Sequence, residues 1–105
     1  MLPITTDKIA EVIILARELN RAEPEFDGFV NHLTQTEQAV LVAVFWIGRG
    51  NFEPEELDEA LRTAAEEATT PTAEYLKGSP HLANHLETGL EALGIDPTVL
   101  QDDLL

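Results

Sequence analysis

The chain has 105 residues, 44% of them hydrophobic and 25% charged, with no cysteine and a formal net charge of −14. That length supports one hydrophobic core rather than two, and the absent thiols exclude disulfides, thiolate metal sites and cysteine nucleophiles. Only six lysines and arginines stand against twenty acids, and they are scattered singly, so no basic patch exists for nucleic acid or an anionic membrane.

Helical punctuation recurs along the chain, and no stretch alternates apolar and polar residues for long enough to argue a strand. The expected fold class is therefore all-α: a compact single-domain bundle of five or six short helices over residues 1–105, with 101–105 a frayed tail. The N-terminal MLPITTDKIAEV lacks the basic-then-apolar order of a secretory leader. The apolar run from Ala39 to Ile47 is about half the ~20 residues that cross a bilayer. Both features lead to the expectation of a cytoplasmic protein.

In chain order, Thr5 is placed to cap a first helix, with Ile4 and Ile9 as a hydrophobic staple and Ile9, Val12, Ile13, Leu15 and Ala16 turned inward to about Leu19. NRAEPE, residues 20 to 25, reads as a turn carrying a proline. A shorter helix then gathers Phe26, Phe29, Val30 and Leu33 on one side.

Thr34-Gln35-Thr36-Glu37 has the form of a capping box. The helix it opens, at about residues 35–48, is apolar on nearly every face from Ala39 onward, so it should sit at the centre of the bundle. Gly48-Arg49-Gly50 follows. Phosphate-cradling loops precede a helix, where free N–H groups and the positive dipole end favour an anion; these glycines follow one, so they read as the helix stop. Arg49 stands at the end of the dipole that favours a cation, with a structural ion pair or a partner contact as its expected role.

Phe52-Glu53-Pro54-Glu55-Glu56-Leu57 opens the next helix, with proline at its first position, acids in its first turn and Phe52 placed to staple Leu57. Leu57, Leu61, Ala64 and Ala68 make its small inner face; Asp58, Arg62 and Glu66 lie outside at i, i+4 spacing. Thr70-Pro71 starts a short helix ended by Gly78, and Ser79-Pro80 starts a longer one ended by Gly94, with a stripe of Leu82, Leu86, Leu90 and Leu93. Asp96-Pro97 begins a final turn.

Three strings, LPITTDKIAEVIILARE (2–18), EQAVLVAVFWIGRG (37–50) and TAEYLKGSPHLANHLETGLEALG (72–94), resemble short bacterial proteins of domain-of-unknown-function family 3775. The family pattern includes a Glu-Gln-Ala start, a Trp ahead of Gly-Arg-Gly, and Thr-Ala-Glu-Tyr-Leu before Gly-x-Pro. The likeness covers most of the chain, leaving out residues 20–30 and the last ten or so. It implies no activity, cofactor or catalytic residue. The chain departs from the pattern at His81 and His85, where the family more often carries apolar or aromatic residues.

Few residues offer chemistry. His81 and His85 stand one helical turn apart, close enough to share a metal ion, but Leu82 occupies the position where zinc proteases carry their glutamate, and two ligands do not make a site. A third ligand would have to come from His32 or Glu74, or from Glu87, which is poorly placed on the same helix. Neighbouring acids such as Glu55-Glu56, Asp58-Glu59 and Glu66-Glu67 point about a hundred degrees apart on a helix, so they form no acid–base pair. The single serine, Ser79, precedes a proline and serves better as a cap than as a nucleophile. Trp46 and Tyr75 are each the only residue of their kind; Trp46 is expected to pack in the central helix, and Tyr75 either packs or lines a groove with its hydroxyl wet.

No catalytic residue and no cofactor emerges. The leading expectation is a non-enzymatic protein–protein interaction module, with a second copy of the chain among the possible partners and Arg49, Trp46 and Tyr75 as contact or structural residues. The alternatives are a metal-binding or metal-sensing protein using His81 and His85, and an acidic decoy of nucleic-acid-binding proteins motivated by the acids from Glu53 to Glu67.

Overall fold

The computed structural model describes residues 6–67 and 71–95. Among them are six α-helices, α1 (Thr6–Arg17), α2 (Leu19–Asn31), α3 (Gln35–Arg49), α4 (Leu57–Glu66), α5 (Thr72–Lys77) and α6 (Leu82–Ala92), with a 3₁₀ turn at Pro54–Glu56 and no strand. The protein is an all-α single-domain bundle around α3. Thr5 and Ile4, Ala68 and Thr70, and the turn and tail expected beyond residue 95 lie outside the described residues.

The helix α3 is central because its sequence leaves it no outer face. Val40, Leu41, Val42, Ala43, Val44, Phe45 and Ile47 are all buried. Burying an aliphatic or aromatic side chain of this size contributes about 1.5–3 kcal/mol, so this helix carries more of the hydrophobic term than any other. It packs most extensively on α6, then on α4, while α1 packs on α2 and α6 and α2 packs on α5. Leu82, Leu86 and Leu90 are the buried stripe of α6; Ile9, Val12 and Ile13 are that of α1.

The start of α3 is the capping box its sequence spells. The Glu37 N–H donates to Thr34 Oγ1 at 3.0 Å, and the Thr34 N–H donates to Glu37 Oε1 at 2.9 Å. The other Glu37 oxygen accepts from Lys8 Nζ at 2.7 Å, which ties the cap to α1. The hydrogen bond from Lys8 and that from the Thr34 backbone hold the Glu37 carboxyl below its ordinary value of 4.5.

Several boundaries differ from those the sequence suggests. NRAEPE is largely helical: α2 runs through it with one break at Ala22 (φ −119°, ψ 26°). Pro24 falls in the first turn after that break, where a missing N–H costs no hydrogen bond. The central helix does not stop at Gly48. It continues to Arg49, and Gly50 alone, at φ 90°, makes the left-handed cap, its N–H donating to the Ile47 carbonyl while that of Asn51 donates to Trp46. Ser79 does not cap α6; its hydroxyl contacts the Pro80 carbonyl at 3.4 Å. The cap residue is His81 in a left-handed conformation (φ 61°), and His85 N–H donates to the His81 carbonyl at 3.0 Å. Phe52 stacks on Trp46, with ring centroids 5.7 Å apart.

Candidate functional site

An open groove of about 870 Å³ lies between α3 and α4 and ends at α5. Ala39, Val42 and Trp46 form the α3 wall, and Leu61, Ala64 and Ala65 the α4 wall. Small residues on α4 leave the room: Ala60 and Ala64 bury against the core, while Ala65 is exposed along the opening. Gln35, Thr36, Gln38, Thr72 and Glu67 give the groove a polar rim.

Trp46 and Tyr75 are joined there. Trp46 is half-buried, the most exposed residue from Val40 to Ile47, and its Nε1–H donates to Tyr75 Oη at 2.8 Å. That bond satisfies the indole's only polar group, so the part of the ring that Phe52 does not cover meets solvent as apolar surface. Tyr75 is 38% exposed, the only large hydrophobic side chain so exposed among the described residues. Its ring packs edge-on against Phe45 at 6.2 Å.

A six-residue helix does not hold Tyr75 in place by itself. Ala73 and Leu76 bury one side of α5, and Lys77 binds its end to α2. The Lys77 ammonium lies 2.8 Å from Glu23 Oε2, 2.8 Å from Asp27 Oδ1 and 3.0 Å from Asp27 Oδ2. Oδ1 is buried without an aligned hydrogen bond, so its contact with the ammonium is Coulombic. The hydrogen bonds to Asp27 and then to Glu23 raise the Lys77 pKa above its ordinary 10.5.

Arg49 is exposed and lies behind this wall. Its guanidinium covers the Phe45 ring, 4.9 Å from the centroid, and its Nε–H donates to Asn51 Oδ1 at 2.7 Å. Its contacts among the described residues are thus a ring face and an amide; the ion pair considered from the sequence is not formed there. His85, half-buried, meets the edge of the same Phe45 ring at 5.6 Å. His81 is exposed at the head of α6, and His32 Nδ1 lies 2.7 Å from the Gly28 carbonyl on α2. Among the described residues, no three of His, Asp and Glu gather within reach of one metal ion.

The model of the family described as "Protein of unknown function (DUF3775)" matches residues 23–95. The chain belongs to this family. The match takes in the groove, both of its walls and the Trp46–Tyr75 pair, and it includes residues 23–30, which the sequence resemblance left out; it begins after the 2–18 string. Neither the curated proteins nor the solved structures gave a match. No helix among the described residues is long and apolar enough to cross a membrane.

The groove itself is invisible in the sequence. It becomes visible only when the fold sets the small side chains of Ala64 and Ala65 on the wall facing that of Ala39, Val42 and Trp46.

Proposed function

We propose that this member of the DUF3775 family is a non-catalytic protein-interaction module whose contact surface is the α3–α4 groove. The observation that carries the reading is the presentation of Trp46: its polar edge is taken by Tyr75, Phe52 stacks on the ring, and what remains of its apolar surface lines an open groove. Tryptophan and tyrosine are the residues that most often anchor interfaces, because they supply large area at small entropic cost.

Affinity capture from native cells with wild-type bait and with Ala65→Phe bait tests the proposal. Ala65 is exposed, so phenylalanine there fills the groove without entering the core. Partners lost with Ala65→Phe but kept with Glu91→Gln, an exposed change on α6, are the expected result. An identical set of partners with all three baits removes the groove as the contact surface. Sizing across a range of concentrations shows whether a second copy is among those partners.

A further inference from the structure

We propose, building on the reading of the groove as a contact surface, that its occupant is an amphipathic helix with lysines or arginines along its polar face. The backbone argument favours a helix. The walls are the sides of α3 and α4, whose backbone groups between the terminal turns are spent within the helices, so no strand edge exists for an extended peptide to pair with. One rim amide is already committed: Gln38 Nε2 donates to Val30 O at 3.0 Å and to Leu33 O at 3.1 Å. A helix satisfies its own backbone and asks of the groove only an apolar floor. From Gln35 to Trp46 the α3 wall advances eleven residues, about 16 Å at ~1.5 Å each, which matches three turns of a docked helix.

Charge selects the sign of the occupant's polar face. Residues 53–67, the 3₁₀ turn and α4, carry seven exposed carboxylates, Glu53, Glu55, Glu56, Asp58, Glu59, Glu66 and Glu67, against the single Arg62. Among the described residues the ion pairs lie elsewhere, joining Lys8 to Glu37, Arg17 to Glu87, Arg21 to Glu18, and Lys77 to Glu23 and Asp27. None joins a cation to any of the seven. Of the seven, Glu67 lines the groove; the other six lie on the exposed surface of the same 3₁₀ turn and helix. An acidic helix would meet the like charge of Glu67 and of the acidic surface beside the groove; a basic one would neutralise it.

The single tryptophan is a built-in reporter. The full chain is titrated with three synthetic 14-residue peptides: a leucine/lysine amphipathic helix, its leucine/glutamate counterpart, and the lysine peptide in scrambled order. The expected result is a blue shift of Trp46 emission with the lysine helix, and affinity at least tenfold above that of either control. That affinity falls at least tenfold in Ala65→Phe, several-fold in the Glu66→Gln/Glu67→Gln double variant, and progressively with added salt. Circular dichroism melts of each variant establish that α4 is intact. Equal binding of the scrambled peptide, or binding indifferent to Ala65→Phe, overturns the proposal in favour of diffuse charge attraction. Equal binding of the lysine and glutamate helices through the groove overturns the basic occupant but leaves the groove reading standing. Absence of binding by all three overturns the proposed occupant, while the capture comparison still decides on the groove.

Discussion

Gly48 on α3 and Gly89 on α6 face each other where the two helices come closest. A β-carbon on Gly48 would fall 1.7 Å from the His85 carbonyl oxygen, and one on Gly89 would fall 2.2 Å from that of Val44. Both obstacles are backbone, so neither can swing aside. The contact lets α6 lie directly on the central helix and sets Leu86 and Leu90 into the core. Either glycine changed to alanine is expected to destabilise the fold by about 2 kcal/mol or more, since overpacking outweighs the ~0.5–1 kcal/mol that alanine gains in a helix. Gly28 in α2 is the control: a β-carbon there meets nothing within 4 Å, so Gly28→Ala is expected to stabilise by about 0.5–1 kcal/mol. Denaturant melts of the three variants check the contrast, and similar losses for all would disprove the close-approach argument.

The same glycine marks where sequence reasoning reached its limit. Local signals were legible: the Thr34–Glu37 box, the apolar length of α3, the leucine stripe of α6 and the left-handed stops at Gly50 and Gly94 are short-range patterns with short-range causes. Gly48 read as part of a helix stop because nothing local separates a capping glycine from one that a neighbouring helix requires. Pro24 misled for the converse reason: a proline marks a turn and a first helical turn equally well, and only the break at Ala22 decides between them. The Trp46–Tyr75 bond spans 29 residues of sequence, and no periodicity encodes it.

Removing the Tyr75 hydroxyl isolates that bond. Tyr75→Phe keeps the ring against Phe45 but leaves the Trp46 N–H to solvent, a loss of about 0.5–1 kcal/mol for a bond near the surface. Because Trp46 is the only tryptophan, its emission should change in the variant even where stability barely moves. Identical emission spectra for the two proteins would show that the pair is not formed in solution.

Lys77 gives the position of Tyr75 an alkaline limit. Its folded-state pKa is raised, chiefly by the hydrogen bond to Asp27, so the stabilisation it supplies is complete below the unfolded value of 10.5 and is lost as pH rises through the folded value above it. Lys77→Met removes the charge at every pH and leaves the buried Asp27 Oδ1 without its counter-ion. The midpoint difference between wild type and Lys77→Met should therefore be constant from neutrality up to pH 10.5 and narrow above it. A difference that stays constant through strong alkali would assign the effect to the packing of the lysine stem.

The acid limit lies at the other end of the groove, at the start of α3. Glu37 has a lowered folded-state pKa, with the Lys8 hydrogen bond the largest cause, so its stabilisation is present above 4.5 and is lost as pH falls through the lower folded value. Two substitutions separate its two jobs. Thr34→Ala removes the acceptor for the Glu37 N–H and should cost about 1 kcal/mol at any pH, because a hydroxyl does not titrate. Glu37→Gln keeps an oxygen for the Thr34 N–H but cannot pair electrostatically with Lys8, so its deficit should be full at neutrality and vanish in acid. Thermal melts from neutrality into acid distinguish the two. A Glu37→Gln deficit as flat with pH as that of Thr34→Ala would mean that Lys8 contributes nothing and that the cap alone holds the entry to the central helix.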